Sequence, residues 1–325
     1  MSTLHQIGFY HGLGDCTYFA HQLPVYCRRG HRFEISCAPD KAFVFADCGP
    51  GVTVLPGTSE FPRHSWEGGP SLDDVDGGTL FLANKAACNF SRHPMPFIGL
   101  IDEPLWREFC DVKLDLSSHV PPAEAEGVDH FLERLPRPLI LIHSKGNAAR
   151  ESKDIDDDSL KALYSHLLEK VGGGTILLLD WDHRVPKLSH GRFRHLLDDF
   201  RRANLAETYA LIRSADLLIG IDSGPAHFAR FSQTPTLAVW YRHFPGRFML
   251  PSDRTLHLVP KPLFHRWNVK FRPSYHLIEA EGERVSGELI AETASRLLNA
   301  PRYLGRSEIA ADVKLQHHID VLTRG

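Results

Sequence analysis

The stretch from Asp216 to Tyr241 reads DLLIGIDSGPAHFARFSQTPTLAVWY. Its apolar run LLIGI does not alternate with polar residues, which suits a strand covered on both faces of a parallel sheet. Asp222, Ser223 and Gly224 then turn the chain, and Pro225 fits the first position of a helix because a helix start leaves that N–H unbonded anyway. A helix from Pro225 to Phe231 and the strand TLAVWY complete a β-turn-α-β unit.

The same rhythm extends outward from this unit. Upstream lie the strand LILIH, a helix near Ser159–Lys170, the strand TILLLD, a helix around Gly191–Arg202 and the amphipathic NLAETYALIRSA. Downstream, VSGELIAETASRLL carries helical apolar spacing, and the tail after Pro301 is expected to be helical too. The N-terminal region has its own unit: IGFY, the turn HGLGD, a helix from Thr17 to Arg28 and the strand HRFEISCA. Residues 49–78, rich in Gly, Pro and Ser, read as an irregular segment long enough to line a site. RLPRP at 134–138 marks a boundary. The expectation is an α/β chain of two Rossmann-like, doubly wound parallel-sheet domains, 1–136 and 137–300, followed by a helical tail, 301–325.

Bulk properties fit two such domains. The chain has 325 residues, beyond the usual size of one core. Its 42% hydrophobic and 24% charged residues are ordinary globular values. A formal net charge of −3 argues against a broad nucleic-acid or anionic-membrane surface, while leaving room for a local basic patch. The six cysteines, Cys16, Cys27, Cys37, Cys48, Cys88 and Cys110, show no CxxC pair, which disfavours a zinc ribbon. The opening MSTLHQIGFY lacks the charged start and apolar run of a signal peptide, and no apolar segment is long enough to span a bilayer. A cytoplasmic protein with reduced thiols and no transmembrane segment is expected.

Four motifs carry candidate chemistry. In the DSGPAH turn, Gly224 permits close backbone approach, while Ser223, His227 and the amides of the new helix can donate to phosphate oxygens. Asp222 and Pro225 shape the same turn. The bland alternative, a capped helix with His227 satisfied in the core, leaves the strand-Gly-helix-His combination unexplained. In HGLGD, Gly12 and Gly14 allow a sharp turn. A dinucleotide fingerprint would need a glycine where Thr17 stands, and Asp15 would repel a pyrophosphate. An exposed carboxylate at a sheet edge suits a general base, although a helix-cap role for Asp15 is common.

The loop HSKGNAARESKD sets Lys145, Arg150 and Lys153 at a strand's carboxyl end, either to neutralise phosphate or as a solvated basic loop. The acidic run Asp154–Asp158 reads as helix capping. Asp180-Trp181-Asp182 ends another strand and reads as a divalent-metal site or a polar strand terminus. The remaining histidines, including His64, His93, His243 and His265, show no metal-ligand spacing and read as surface or satisfied residues.

Taken in order, HGLGD, the lysine loop and DSGPAHFARFSQTPTLAVWY resemble the heptosyltransferase-type glycosyltransferases of family 9, which have the GT-B fold. The resemblance implies Asp15 as base and Lys153, with Lys145, at the donor phosphates. Lys145 departs from the small hydroxyl residues usual at its position. DSGPAH becomes the donor-diphosphate signature. LLLDWDHR then falls at the donor ribose, which weakens the metal reading and makes Asp182 a hydroxyl partner. The implied reaction is an inverting, metal-independent transfer of a sugar, a heptose being one candidate, from a nucleotide-diphosphate sugar. That donor is a co-substrate, and no further cofactor is expected. Closure of the lobes is expected to bring Asp15 opposite the diphosphate. The acceptor is not readable, since residues 49–128 do not resemble a lipopolysaccharide heptosyltransferase closely. A nucleotide-sugar epimerase and a non-catalytic nucleotide-sugar-binding protein are the alternatives.

Overall fold

The computed structural model describes residues 3–57, 60–61, 108–147, 150–201, 203–243, 245, 249–266 and 275–299. The expected tail at 301–325, Cys88, His64 and His93 lie outside them. The N-terminal part contains β1 (Thr3–Gly8), α1 (Leu13–Ala20), α2 (Leu23–Arg28), β2 (His31–Cys37), a 3-10 turn (Pro39–Phe45) and β3 (Val52–Pro56). Its strands form a parallel sheet in the order β1-β2-β3. Next come α3 (Pro122–Leu132), β4 (Leu139–His143), α4 (Arg150–Lys153), α5 (Asp157–Lys170), β5 (Thr175–Leu178), β6 (Phe193–His195) and α6 (Leu196–Asp199). The chain continues through α7 (Leu205–Ser214), β7 (Leu217–Ile221), α8 (Gly224–Ser232), β8 (Thr236–Val239), β9 (Thr255–Pro260), α9 (Lys261–Arg266), β10 (His276–Ala280) and α10 (Gly287–Asn299). The seven strands β4–β10 form an all-parallel sheet in the order β10-β9-β8-β7-β4-β5-β6. Among the described residues no helix is long and apolar enough to cross a membrane.

The continuous apolar strands serve two faces, as their lack of alternation predicts. Ile140 and Ile142 of β4 pack with Ile219, Leu163 and Ile290, under α5 and α10. Leu139 and Leu141, one residue out of phase, join the other core. That second core is continuous between the sheets. It contains Ile7 and Phe33 of the small sheet, Phe19 of α1, and Phe228 and Phe231 of α8.

Close packing of α1 on α8 depends on two small residues. A Cβ on Gly224 would stand 2.9 Å from the Leu13 side chain, and one on Gly14 would stand 3.0 Å from the His227 ring. Gly224→Ala is therefore expected to force the two helices apart and to cost about 1–3 kcal/mol as an overpacked contact. A denaturant titration checks this, and an unchanged midpoint would mean that the interface yields freely.

Several elements differ from the sequence expectation. The helix expected from Thr17 to Arg28 starts earlier, at Leu13, and breaks after Ala20, because Pro24 lacks the N–H that a continuing helix needs. In place of a helix over Gly191–Arg202 there is the short edge strand β6 and one helical turn, α6. Phe193 and His195 are both buried with Arg194 exposed between them, so pairing with β5 imposes period two. Residues 49–78 include β3, and β9 and β10 extend the large sheet beyond the strands read from the sequence.

Candidate active site at the strand ends

The carboxyl ends of β1, β4, β5, β7 and β8 converge on a cleft of about 1170 Å³ whose walls include Asp15, His143, Lys153, Trp181, Asp222 and His243. Asp222 is its electrostatic centre. The carboxylate is buried directly after β7, where the strand end and the start of α8 hold it. His227 Nε2 lies 3.3 Å from Oδ1, and His243 Nδ1 and Lys153 Nζ lie 2.7 and 3.0 Å from Oδ2. Burial alone would raise the Asp222 carboxyl. The hydrogen bonds from His227 and His243, with the Lys153 ammonium, outweigh it and hold the group well below the carboxylate range. Asp222 therefore gathers Lys153, His227 and His243 instead of meeting an anionic ligand itself, and His227 uses Nε2 on Asp222.

Asp15 faces this cluster from the other sheet. It sits in the first turn of α1, half-buried where an exposed group was expected. The α1 N-cap is Gly12, which makes no side-chain cap bond, and the Gly12 N–H bonds the Asp15 carboxylate. Burial is the largest influence on this carboxyl and raises it, opposed by the charge of His227 and reinforced by that of Asp222. A carboxyl held above its ordinary value beside this cluster is chemically suited to accept a proton. The close contact between α1 and α8 holds Asp15 here.

The two lysines separate. Lys153 Nζ also reaches the Asp222 carbonyl at 3.4 Å. Lys145 Nζ is tied at 2.8 Å to both the Ile155 carbonyl and Asp157, fastening its loop to the start of α5. The acidic run caps that helix through Asp156, which accepts from the Ser159 N–H. Asp154 accepts from the Gly146 N–H, shaping the loop.

Ser223 has a partner that the sequence did not reveal. His143, buried at the end of β4, places Nδ1 3.1 Å from the Leu179 carbonyl and Nε2 3.1 Å from Ser223 Oγ. Burial lowers the imidazole to about 4, so it is neutral near pH 7. A carbonyl can only accept, so Nδ1 carries the proton and Nε2 accepts from the Ser223 hydroxyl. That hydroxyl proton is therefore committed to His143 in this arrangement. The positive end of the α8 dipole and Lys153 remain to meet an anion.

Asp180 and Asp182 point to different tasks. Asp180 is buried and accepts from the Asp182 and Val185 N–H groups, folding the turn 180–185 around its carboxylate. Asp182 is exposed, with Oδ2 3.5 Å from Arg184 Nε. Arg184 bonds the Gly146 carbonyl at 2.8 Å, joining this turn to the lysine loop. Trp181 lines the cleft edge-on to His143 at 5.2 Å.

The structure thus brings together Asp15, Gly14, Lys153, Asp222, Ser223, Gly224 and His227, while the Lys145 ammonium is turned to α5. Sequence reasoning missed His143, Trp181, Arg184 and His243. His243 comes two residues after the expected strand TLAVWY, and its place at a strand's carboxyl end was the available signal.

Residues 111–264 match the sequence profile of glycosyltransferase family 9 (heptosyltransferase). No curated protein matches the chain. Among solved structures the fold is similar to a glycosyl transferase family 9 protein from Veillonella parvula, at 11% identity and a TM-score of 0.52, over 92% of this chain and 98% of that one. It is also similar to the E. coli ADP-heptose lps heptosyltransferase II, at 13% identity and a TM-score of 0.55, over 92% of this chain and 99% of that one. These likenesses show the fold, a GT-B-like pairing of parallel sheets across a cleft.

Proposed function

We propose that the chain, whose residues 111–264 match the glycosyltransferase family 9 (heptosyltransferase) profile, moves a sugar from a nucleotide-diphosphate donor to an acceptor hydroxyl with inversion and without a metal at the reacting phosphates. The observation that supports this most is the approach of Asp15, on α1, to the His227–Asp222–Lys153 cluster at the start of α8. Asp15 takes the proton of the acceptor hydroxyl as its oxygen bonds to the anomeric carbon and the bond to the diphosphate breaks. Lys153 and the α8 N-terminus stabilise the charge that develops on the leaving diphosphate. Asp222 positions Lys153, His227 and His243, while His143 orients Ser223. Asp182 lies where a donor ribose hydroxyl is read. The domains are taken as 1–136 and 137–300, and the reaction is placed in the cytoplasm, where thiols such as the free Cys16, Cys37 and Cys48 stay reduced.

The E. coli heptosyltransferase of similar fold is named for ADP-heptose, which makes that compound the first donor to try. A thermal-shift panel of ADP-, GDP-, UDP- and dTDP-linked ligands tests the reading: one nucleotide class should raise the melting temperature selectively, and a flat panel would count against it. With the selected donor, transfer should need an acceptor and no added Mg²⁺ or Mn²⁺. Donor conversion without acceptor would indicate an epimerase. A strict need for either ion would return Asp180 and Asp182 to a metal role.

A further inference from the structure

We propose that His183, His195 and Asp198 form a site for one transition-metal ion of the zinc class, which fixes the turn carrying Trp181, Asp182 and Arg184 at the cleft. One ligand atom from each of the three residues lies within 4.8 Å of the others, and His183 Nδ1 stands 3.9 Å from Asp198 Oδ1. A four-coordinate ion with bonds of about 2.0–2.2 Å draws its ligand atoms to roughly 3.3 Å apart, a contraction that side-chain rotation can supply. Two imidazoles and one carboxylate suit zinc, cobalt or nickel, whereas magnesium and calcium prefer all-oxygen sets.

The second, independent observation is His195 itself. It is 8% exposed, yet both ring nitrogens are buried without a hydrogen-bond partner. A buried polar group in that state is unfavourable unless something satisfies it, and a metal ion on one nitrogen does so. Asp198 divides its oxygens: Oδ2 accepts from Lys187 Nζ at 2.8 Å, and Oδ1 faces His183. A ligating carboxylate anchored from behind by such a bond is a common support of metal sites.

The position explains what the ion would do. His183 lies in the turn folded around Asp180, whereas His195 ends β6 and Asp198 lies in α6. The ion therefore ties the turn after β5 to the sheet's edge strand and limits how far Trp181, Asp182 and Arg184 can move. This role is separate from the transfer chemistry and does not depend on which donor is used.

The test uses the full chain, stripped with a chelator and titrated with Zn²⁺ and Co²⁺ in the absence of any nucleotide. One Zn²⁺ per chain, a rise in melting temperature, and the visible absorption of four- or five-coordinate Co²⁺ are expected. His195→Ala should abolish binding, but its buried position threatens folding. His183→Ala and Asp198→Asn change side chains that are 49% and 44% exposed, so they should keep the circular dichroism and melting temperature of the metal-free protein. Each should weaken Zn²⁺ binding by at least about tenfold. No Zn²⁺ binding, or binding unchanged in either variant because other histidines hold the ion, overturns the proposal.

Discussion

Asp15→Asn is expected to leave nucleotide binding intact and to lower the transfer rate by about 100- to 10,000-fold, the range that a positioned general base contributes. The amide keeps the size of the side chain on α1 but cannot take up the proton of the attacking hydroxyl. Because the binding determinants are assigned to Lys153 and the start of α8, the nucleotide dissociation constant should move little. The pH profile supplies an independent check. Burial raises the Asp15 carboxyl, and a base works only when deprotonated. Activity should therefore rise with pH along an acid limb displaced above the ordinary carboxylate range of about 4. That limb should vanish from the residual activity of Asp15→Asn. Loss of nucleotide binding in the variant would reassign Asp15 from base to donor ligand.

Asp222→Asn should destabilise the fold by about 3–5 kcal/mol, the usual result of removing one partner from a buried ion pair. Lys153 would keep its ammonium, only 15% exposed, beside a neutral amide, and His227 and His243 would lose their charged acceptor. The loss should depend on pH with a definite sign. The Asp222 carboxyl is held well below its usual value in the folded chain, so its ionised form contributes stability above the unfolded carboxyl value of about 4. That contribution disappears as pH falls toward the folded value. Urea titrations of both proteins should therefore show their largest gap near neutrality and a shrinking gap below about pH 4. A gap that does not change with pH would mean that packing, not charge, is what Asp222 supplies. Nucleotide affinity should fall as well, because Lys153 and His243 are positioned through this carboxylate.

Much of the architecture was legible because it is written locally. Runs such as LILIH and LLIGI have no polar face and are covered on both sides in the sheet. Pro225 and Gly224 open α8 as the turn chemistry predicts. Where the reading failed, a partner distant in sequence decided the outcome. Phe193–His195 has no local reason to be extended, but the free edge of β5 captures it as a strand. The tail 301–325 lies outside the described residues.

By itself, then, the sequence determined the alternation of strand and helix, the glycine turns at the strand ends, and the residues those turns present, since each follows from side-chain periodicity and backbone freedom over a few positions. Only the tertiary structure decided which of those residues meet. His143 and Ser223, 80 positions apart, bond because β4 lies beside β7 in the sheet. His183 and His195 converge because β6 returns along β5. Asp15 reaches the Asp222 cluster because Gly14 and Gly224 let two helices from different sheets pack closely. Strand order and helix contact are set by the burial of shared apolar surface, and no local pattern of residues records them.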